Sequence, residues 1–348
     1  MHLKHNSHHL TDKELLKVKE ILGTPSKVVI IMHRSPDGDA VGSSLGMKHY
    51  LEKRGHTVTV LSPNAYPEFL KWMPGTRSVI DFEKTPSPAN QSIAKADLIL
   101  FLDFNSLKRI GDLEIAVKKS KAFRLVIDHH PQPEKFADIS FHNVGSSSTA
   151  ELVYDFITLL GENKKINKDI ANCLYAGIMT DTGSFRFSST SAHTHDVVAD
   201  LMRHGAETTK IHRFIDDNNR DIRLRLLGYA VMEKMKILPD FATGFITLTQ
   251  SELKRFDYRE GDTEGLVNEP ISVKGIVFSA LFTELKDGEI KISFRSKDKF
   301  DVNLFARKHF NGGGHINAAG GKSELSMDET ILKFLTLVAE YKKELKGE

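Results

Sequence analysis

Five aspartates and three histidines fall where metal or phosphate chemistry is open to them. His33, Asp37 and Asp39 lie in HRSPDGDA, and Asp103 closes ADLILFLDF. Asp128, His129 and His130 end RLVIDHH, and Asp181 lies in MTDTGSF. Pro36 and Gly38 force a tight turn that lets His33, Asp37 and Asp39 converge. Asp37 and Asp39 stand two apart, so they need not point at the same atom and can serve two neighbouring ions. Carboxylates gathered at one sheet edge repel one another where the dielectric is low, and cations relieve that repulsion. Mixed Asp/His ligation without cysteine suits Mn2+, with Mg2+, Co2+ or Fe2+ as relatives. A closed structural zinc site usually recruits thiolates instead. A single aspartate at a strand end is ordinarily a cap or a turn former, but here that plain reading would have to hold at four separate segments.

Two ions roughly 3.5–4 Å apart are the usual apparatus for phosphoester hydrolysis. One carboxylate bridges the ions, and a water between them loses a proton and attacks phosphorus in line. The ions and nearby cations take up the charge on the phosphoryl oxygens.

The elements that must position these groups alternate between strand and helix. KVVIIMHR (27–34), TVTVLS (57–62), ADLILFLDF (96–104) and RLVIDHH (124–130) read as strands, three of them as continuous apolar runs. Helical stretches are predicted over about 40–54, 106–120, 148–161 and 168–180, and PSPAN (86–90) reads as a loop. Ser148 with Glu151 three residues on makes a capping box. The helix it starts has an N-terminus that a phosphate could use, although a plain cap serves as well. The pattern argues for an α/β fold: an N-terminal, doubly wound, mostly parallel sheet with ligands at the carboxyl ends of its strands. A charged helical segment follows, then a smaller C-terminal α/β domain with strands near 242–249, 272–285 and 289–296, a glycine cluster at 311–321 and a helix near 328–343. The expected organisation is 1–208 for the metal-bearing domain, 209–235 for a helical linker and 236–348 for the substrate-binding domain.

Bulk composition narrows the partners. A formal net charge of +2 over 348 residues leaves no basic coat for long nucleic acid, so an anionic ligand must be held by local groups. Cys173 is the one cysteine, which rules out an intrachain disulfide framework and fits a core residue in a cytoplasmic protein. No apolar run approaches the ~20 residues of a membrane span. MHLKHNSHHL has no signal-peptide apolar core, and its four histidines read as a chain end without a metal role.

Taken in order, HxxxDxD, D, DHH, D and GGGH resemble the DHH phosphoesterase family with its associated C-terminal domain, over about 27–321. Within it the chain resembles the compact bifunctional enzymes that degrade very short RNA and dephosphorylate adenosine bisphosphate (pAp). The resemblance implies that His33 and Asp37 hold a first Mn2+, that Asp39, His129 and Asp181 hold a second, and that Asp103 bridges. Mg2+ and Co2+ are the implied substitutes. His130 would face the scissile phosphate, and Asp128 would orient a histidine through its ring N–H.

Grip on the nucleotide is expected from the C-terminal part. Gly312, Gly313 and Gly314 would let backbone N–H groups form an anion nest. His315 would stack on a base or bond a phosphate, and the fork of Arg295 would clamp phosphate oxygens. Arg307 and Lys308 read as a solvated helix face. The implied substrates are single-stranded RNA of about two to five nucleotides, cut to mononucleotides, and pAp, converted to AMP, in keeping with the absence of a long basic track. A homodimer is a family-level expectation. The alternatives are action on pApA or cyclic di-adenylate, a family-II-like pyrophosphatase, and a nucleotide sensor without catalysis.

Overall fold

Strands that are apolar along their whole length need cover on both faces, and the first part of the chain provides it. A computed structural model describes residues 10–259 and 261–347, so the four N-terminal histidines and their reading as a chain end lie outside the described residues. The chain divides into two compact units between Asn218 and Asn219, within the segment expected to be a linker.

The first unit runs α1 (Asp12–Leu22), β1 (Lys27–Ile31), α2 (Gly38–Lys53), β2 (Thr57–Ser62), β3 (Ile80–Asp81), α3 (Pro86–Ala94), β4 (Leu98–Leu102) and α4 (Leu113–Lys119). It continues with β5 (Phe123–Asp128), β6 (Ile139–His142), α5 (Thr149–Leu159), α6 (Lys168–Asp181), α7 (Ala192–Arg203) and α8 (Thr208–Ile215). The six strands pair in parallel in the order β3-β2-β1-β4-β5-β6. Successive side chains leave opposite faces of a strand. Val28 and Ile30 therefore join the core under α2, α5 and α6, while Val29 and Ile31 join the core under α3 and α4. The winding direction reverses between β1 and β4, the position where open parallel sheets form a ligand crevice beyond their carboxyl ends.

Glycines let α2 and α6 approach backbone to backbone. A Cβ at Gly42 would lie 2.5 Å from Cys173 O, and one at Gly177 would lie 2.9 Å from Asp39 Oδ1. Cys173 is buried in this contact, which brings the first turn of α2 beside the last turn of α6.

Several boundaries differ from expectation. Residues 86–90 are the opening of α3, where Pro86 sits in the first turn and costs no helical hydrogen bond, rather than a loop. The fourth predicted strand stops at Asp128, so His129 and His130 stand on the following loop. The edge strand β6 and helices α1 and α7 were not read from the sequence.

The second unit comprises α9 (Asp221–Tyr229), β7 (Lys236–Leu238), β8 (Thr243–Leu248), α10 (Gln250–Arg255), α11 (Asn268–Ser272), β9 (Phe278–Glu284) and β10 (Ile290–Ser296). Then come α12 (Val302–His309), β11 (Gly313–Gly314), β12 (Ala318–Ser323), α13 (Met327–Glu340) and α14 (Lys342–Lys346). Its sheet has the order β11-β12-β10-β9-β8-β7 and is antiparallel except for the β8–β9 pair. Phenylalanines fill its core: Phe278 packs against Phe294, Phe300, Phe305 and Phe334 at centroid distances of 4.9–5.9 Å. The predicted strand over 272–285 is shorter because α11 ends at Ser272 and a turn around Gly275, with φ of 83°, precedes Phe278. Among the described residues, no helix is long and apolar enough to cross a membrane.

Candidate metal centre

The carboxyl ends of β1, β4 and β5 deliver the expected groups to one place, with the first turn of α2 and the last residue of α6. Asp103 is the hub. It is buried and sits just past β4 with φ of 70°, a left-handed conformation that aspartate tolerates better than most residues. Its N–H donates to Ile127 O at 3.2 Å, and its Oδ1 accepts from Thr149 Oγ1 at 2.9 Å. The two carboxylate oxygens face different imidazoles: Oδ2 is 3.4 Å from His33 Nε2, and Oδ1 is 3.5 Å from His129 Nε2.

On the Oδ2 side stand His33 and Asp37. His33 donates Nδ1–H to Arg34 O at 2.8 Å, which leaves Nε2 as a lone-pair donor to a cation. That Nε2 is buried and has no hydrogen-bond partner among the described residues. Asp37 caps α2, its Oδ1 accepting from Asp39 N and Ala40 N at 3.1 and 3.0 Å, and its Oδ2 lies 3.8 Å from His33 Nε2. Donor atoms of His33, Asp37 and Asp103 all lie within 4.8 Å of one another.

The Oδ1 side gathers Asp39, His129 and Asp181, whose donor atoms also lie within 4.8 Å of one another. Asp39 is buried and accepts from Thr149 N at 2.6 Å and Ala150 N at 2.8 Å, so it occupies the N-terminus of α5. The phosphate site considered at that helix end is therefore not available. Ser148 Oγ does accept from Glu151 N, but the Glu151 carboxylate takes donors from Ser146 and Ser147, so only half of the capping box forms. His129 turns Nδ1 to Ser146 O at 3.3 Å and presents Nε2 at 3.4 Å from Asp181 Oδ2.

The electrostatics call for cations. Burial, and then the nearby charges of Asp103 and Asp181, push Asp39 well above the usual carboxylate range. Burial acts the same way on Asp103, but the close imidazoles of His129 and His33 outweigh it and hold the acid well below that range. Burial would lower His129, but Asp103 and Asp181 hold it well above the usual imidazole value. The orphaned His33 nitrogen and the all-oxygen-and-imidazole donor set fit divalent cations.

Asp128 and His130 form a separate pair. His130 Nδ1–H donates to Asp128 Oδ1 at 2.8 Å, and His130 Nε2 receives Arg109 Nη1 at 3.2 Å. His142 Nε2 meets His130 O at 2.6 Å and stands 3.9 Å from Asp128 Oδ2. Burial keeps His130 below the usual imidazole value. Arg109, Thr149 and His142 were missed in the sequence. Arg109 had a signal, since it lies six residues beyond Asp103, past the carboxyl end of β4. Thr149 was hidden behind the cap reading of Ser148, and His142 lies on the unrecognised β6.

In the second unit the glycines do something different from the expected nest. Gly312 N donates to Ala306 O at 3.1 Å, Gly314 N to Asn303 Oδ1 at 3.0 Å, and His315 N to Ala318 O at 2.7 Å. These amides are engaged within the protein. What the glycines provide is room: a Cβ at Gly312 would lie 1.9 Å from Gly320 O, and one at Gly314 2.5 Å from Ala318 O. Arg295 lies on β10 opposite Ala318, with Nη1 on Phe294 O at 3.0 Å. Arg307, read as a solvated face, lies beside Gly313, where a Cβ would be 3.6 Å from its Nε.

Residues 27–178 match the DHH family, N-terminal domain, and residues 243–344 match the DHHA1 domain. The chain belongs to the DHH family. This DHH protein is 29% identical to a probable bifunctional oligoribonuclease and PAP phosphatase NrnA from Streptococcus mutans, over 88% of this chain and 93% of that one. It is 28% identical to a bifunctional oligoribonuclease and PAP phosphatase NrnA from Thermus thermophilus, over 94% of each chain. The crystal structure of an exopolyphosphatase-related protein from Bacteroides fragilis covers 98% of this chain and 99% of its own, with a TM-score of 0.93 and 39% identity. As a DHH phosphoesterase, the protein is a hydrolase.

Proposed function

We propose that this DHH protein is a manganese-dependent phosphoesterase that cuts oligoribonucleotides of about two to five nucleotides to mononucleotides and converts pAp to AMP, a size range suited to a chain without a long basic track. The observation that carries the reading is Asp103, whose two oxygens each face the Nε2 of a different histidine. His33 and Asp37 would hold one ion with Asp103 Oδ2, and Asp39, His129 and Asp181 the other with Asp103 Oδ1. When bound, such ions polarise phosphoryl oxygens and make water acidic enough to supply a nucleophile near neutral pH.

The chain's own groups do the rest. Carbonyls 34 and 146 fix the tautomers of His33 and His129, so each imidazole meets a cation already oriented. Thr149 fixes the Asp103 carboxylate, while Ile127 O holds its backbone N–H. Asp128 holds His130 on the side of the centre where the phosphate ester would lie. Arg295, Gly312, Gly313, Gly314 and His315 would receive the nucleotide in the second unit, the glycines by leaving space and not by offering free amides. The names of the Streptococcus mutans and Thermus thermophilus relatives support this substrate class. The test is a turnover panel with Mn2+, Mg2+ and Co2+ over di- to pentaribonucleotides, pAp, pApA and cyclic di-adenylate. The expected result is AMP from pAp and mononucleotides from the short RNAs with Mn2+. Intact short RNA and intact pAp would refute the reading.

A further inference from the structure

The resemblance would turn His130 toward a phosphate, yet its second ring nitrogen is an acceptor. Nδ1–H is committed to Asp128 at 2.8 Å, so Nε2 carries the lone pair, and that lone pair receives Arg109 Nη1 at 3.2 Å. A phosphoryl oxygen is also an acceptor and gains nothing from a second one. The group that can bond it is the guanidinium lying against the ring.

Arg109 is unusually uncommitted for a half-buried arginine beside a carboxylate cluster. Among the described residues, no carboxylate stands within ion-pairing distance of it, and its side chain makes the single hydrogen bond to His130. Guanidinium has five N–H donors in a planar fork that matches phosphate oxygens. Its backbone is anchored as well: Arg109 O accepts from Arg34 N at 2.7 Å, tying the segment to the loop that carries His33 and Asp37. The imidazole it touches has Nδ1 only 3.7 Å from Asp103 Oδ1, so the guanidinium lies one ring's width from the hub of the centre.

We infer that Arg109 is a substrate-contacting residue that grips the non-bridging oxygens of the scissile phosphate, and that Asp128 and His130 form the relay that aims it. In this relay His130 is a positioning residue that holds one edge of the guanidinium and leaves the others for the phosphate. The assignment rests on the phosphoesterase reading above and adds a recognition element to it.

The experiment is calorimetric titration of inorganic phosphate into the Mn2+-loaded wild type, Arg109→Gln and Arg109→Lys, with Mn2+ affinity and melting temperature measured for each. Losing a charge-assisted fork should weaken phosphate binding in Arg109→Gln on the order of 10–100-fold. Mn2+ affinity should stay within about twofold, and Arg109→Lys should recover part of the loss because it keeps the charge without the fork. Phosphate binding unchanged in Arg109→Gln, lost only in step with Mn2+, or absent from the wild type would overturn the assignment. If Arg109→Gln does not fold, Arg109→Lys decides: weaker phosphate binding at an unchanged melting temperature supports it, and wild-type binding overturns it. A wild type that binds phosphate but leaves dinucleotides and pAp intact would fault the substrate reading and not Arg109.

Discussion

Asp128 Oδ1 accepts the Nδ1–H of His130 at 2.8 Å, and this bond separates two histidines that are neighbours in sequence. His130 is turned toward Asp128 and Arg109. His129, one residue earlier, is turned toward Ser146 O, and its Nε2 faces Asp39, Asp103 and Asp181. Their rings are nearly perpendicular, at 77°.

The two histidines should therefore fail differently. His129→Ala should weaken one of the two Mn2+ sites by at least about 10–100-fold. His130→Ala should keep both ions and lower turnover by about 10–100-fold, because Arg109 loses the ring that aims it. Mn2+ titration alongside steady-state kinetics separates them. Equal loss of metal in both variants would contradict the division of roles.

Gly312→Ala should destabilise the second unit by about 3 kcal/mol, because overpacking against backbone cannot be relieved by a rotamer change. The added Cβ would lie 1.9 Å from Gly320 O. Gly161→Ala is the control: its φ is 78° but nothing lies within 4 Å of the new Cβ, so only the conformational cost of about 1–2 kcal/mol applies. Urea denaturation compares the two, and a Gly312 variant no worse than the Gly161 variant would refute the packing argument. Mn2+ binding should be unchanged in both.

A pH-dependent term sits at the start of α7. His193 Nε2 bonds Asp155 Oδ1 at 2.9 Å, and that bond lifts the imidazole to about 9 despite partial burial. Because the folded value exceeds the unfolded one of about 6.5, the stabilisation is complete below about pH 6.5 and is lost as pH rises through about 9. The side chain is 54% exposed, so solvent screening reduces the effect to about 1 kcal/mol or less. Wild type should exceed His193→Ala in urea denaturation at pH 6 and match it at pH 9.5. The same difference at both pH values would contradict the ion pair.

The strands β1, β4 and β5 were legible because continuous apolar runs in a parallel sheet leave few other readings, and the acids and histidines that follow them were legible as strand ends. Proline misled at α3, since it opens a helix as readily as it marks a loop. The glycine cluster misled for a different reason. Glycine has no side chain to alternate, so β11 and β12 leave no period-two signal, and free amides were inferred where Ala306, Asn303 and Ala318 engage them. The tautomers of His33 and His129 depend on carbonyls 34 and 146, and backbone carbonyls carry no sequence signature. Arg109 could have been suspected from its place beyond β4, but its bond to His130 closes only in the fold.

The central claim is a pair of cations sharing Asp103, and anomalous scattering from Mn2+-soaked crystals tests it most directly. The account predicts two peaks roughly 3.5–4 Å apart with the Asp103 carboxylate between them, one beside His33 and Asp37 and the other beside Asp39, His129 and Asp181. A single peak, or two ions whose shared ligand is another residue, would contradict it.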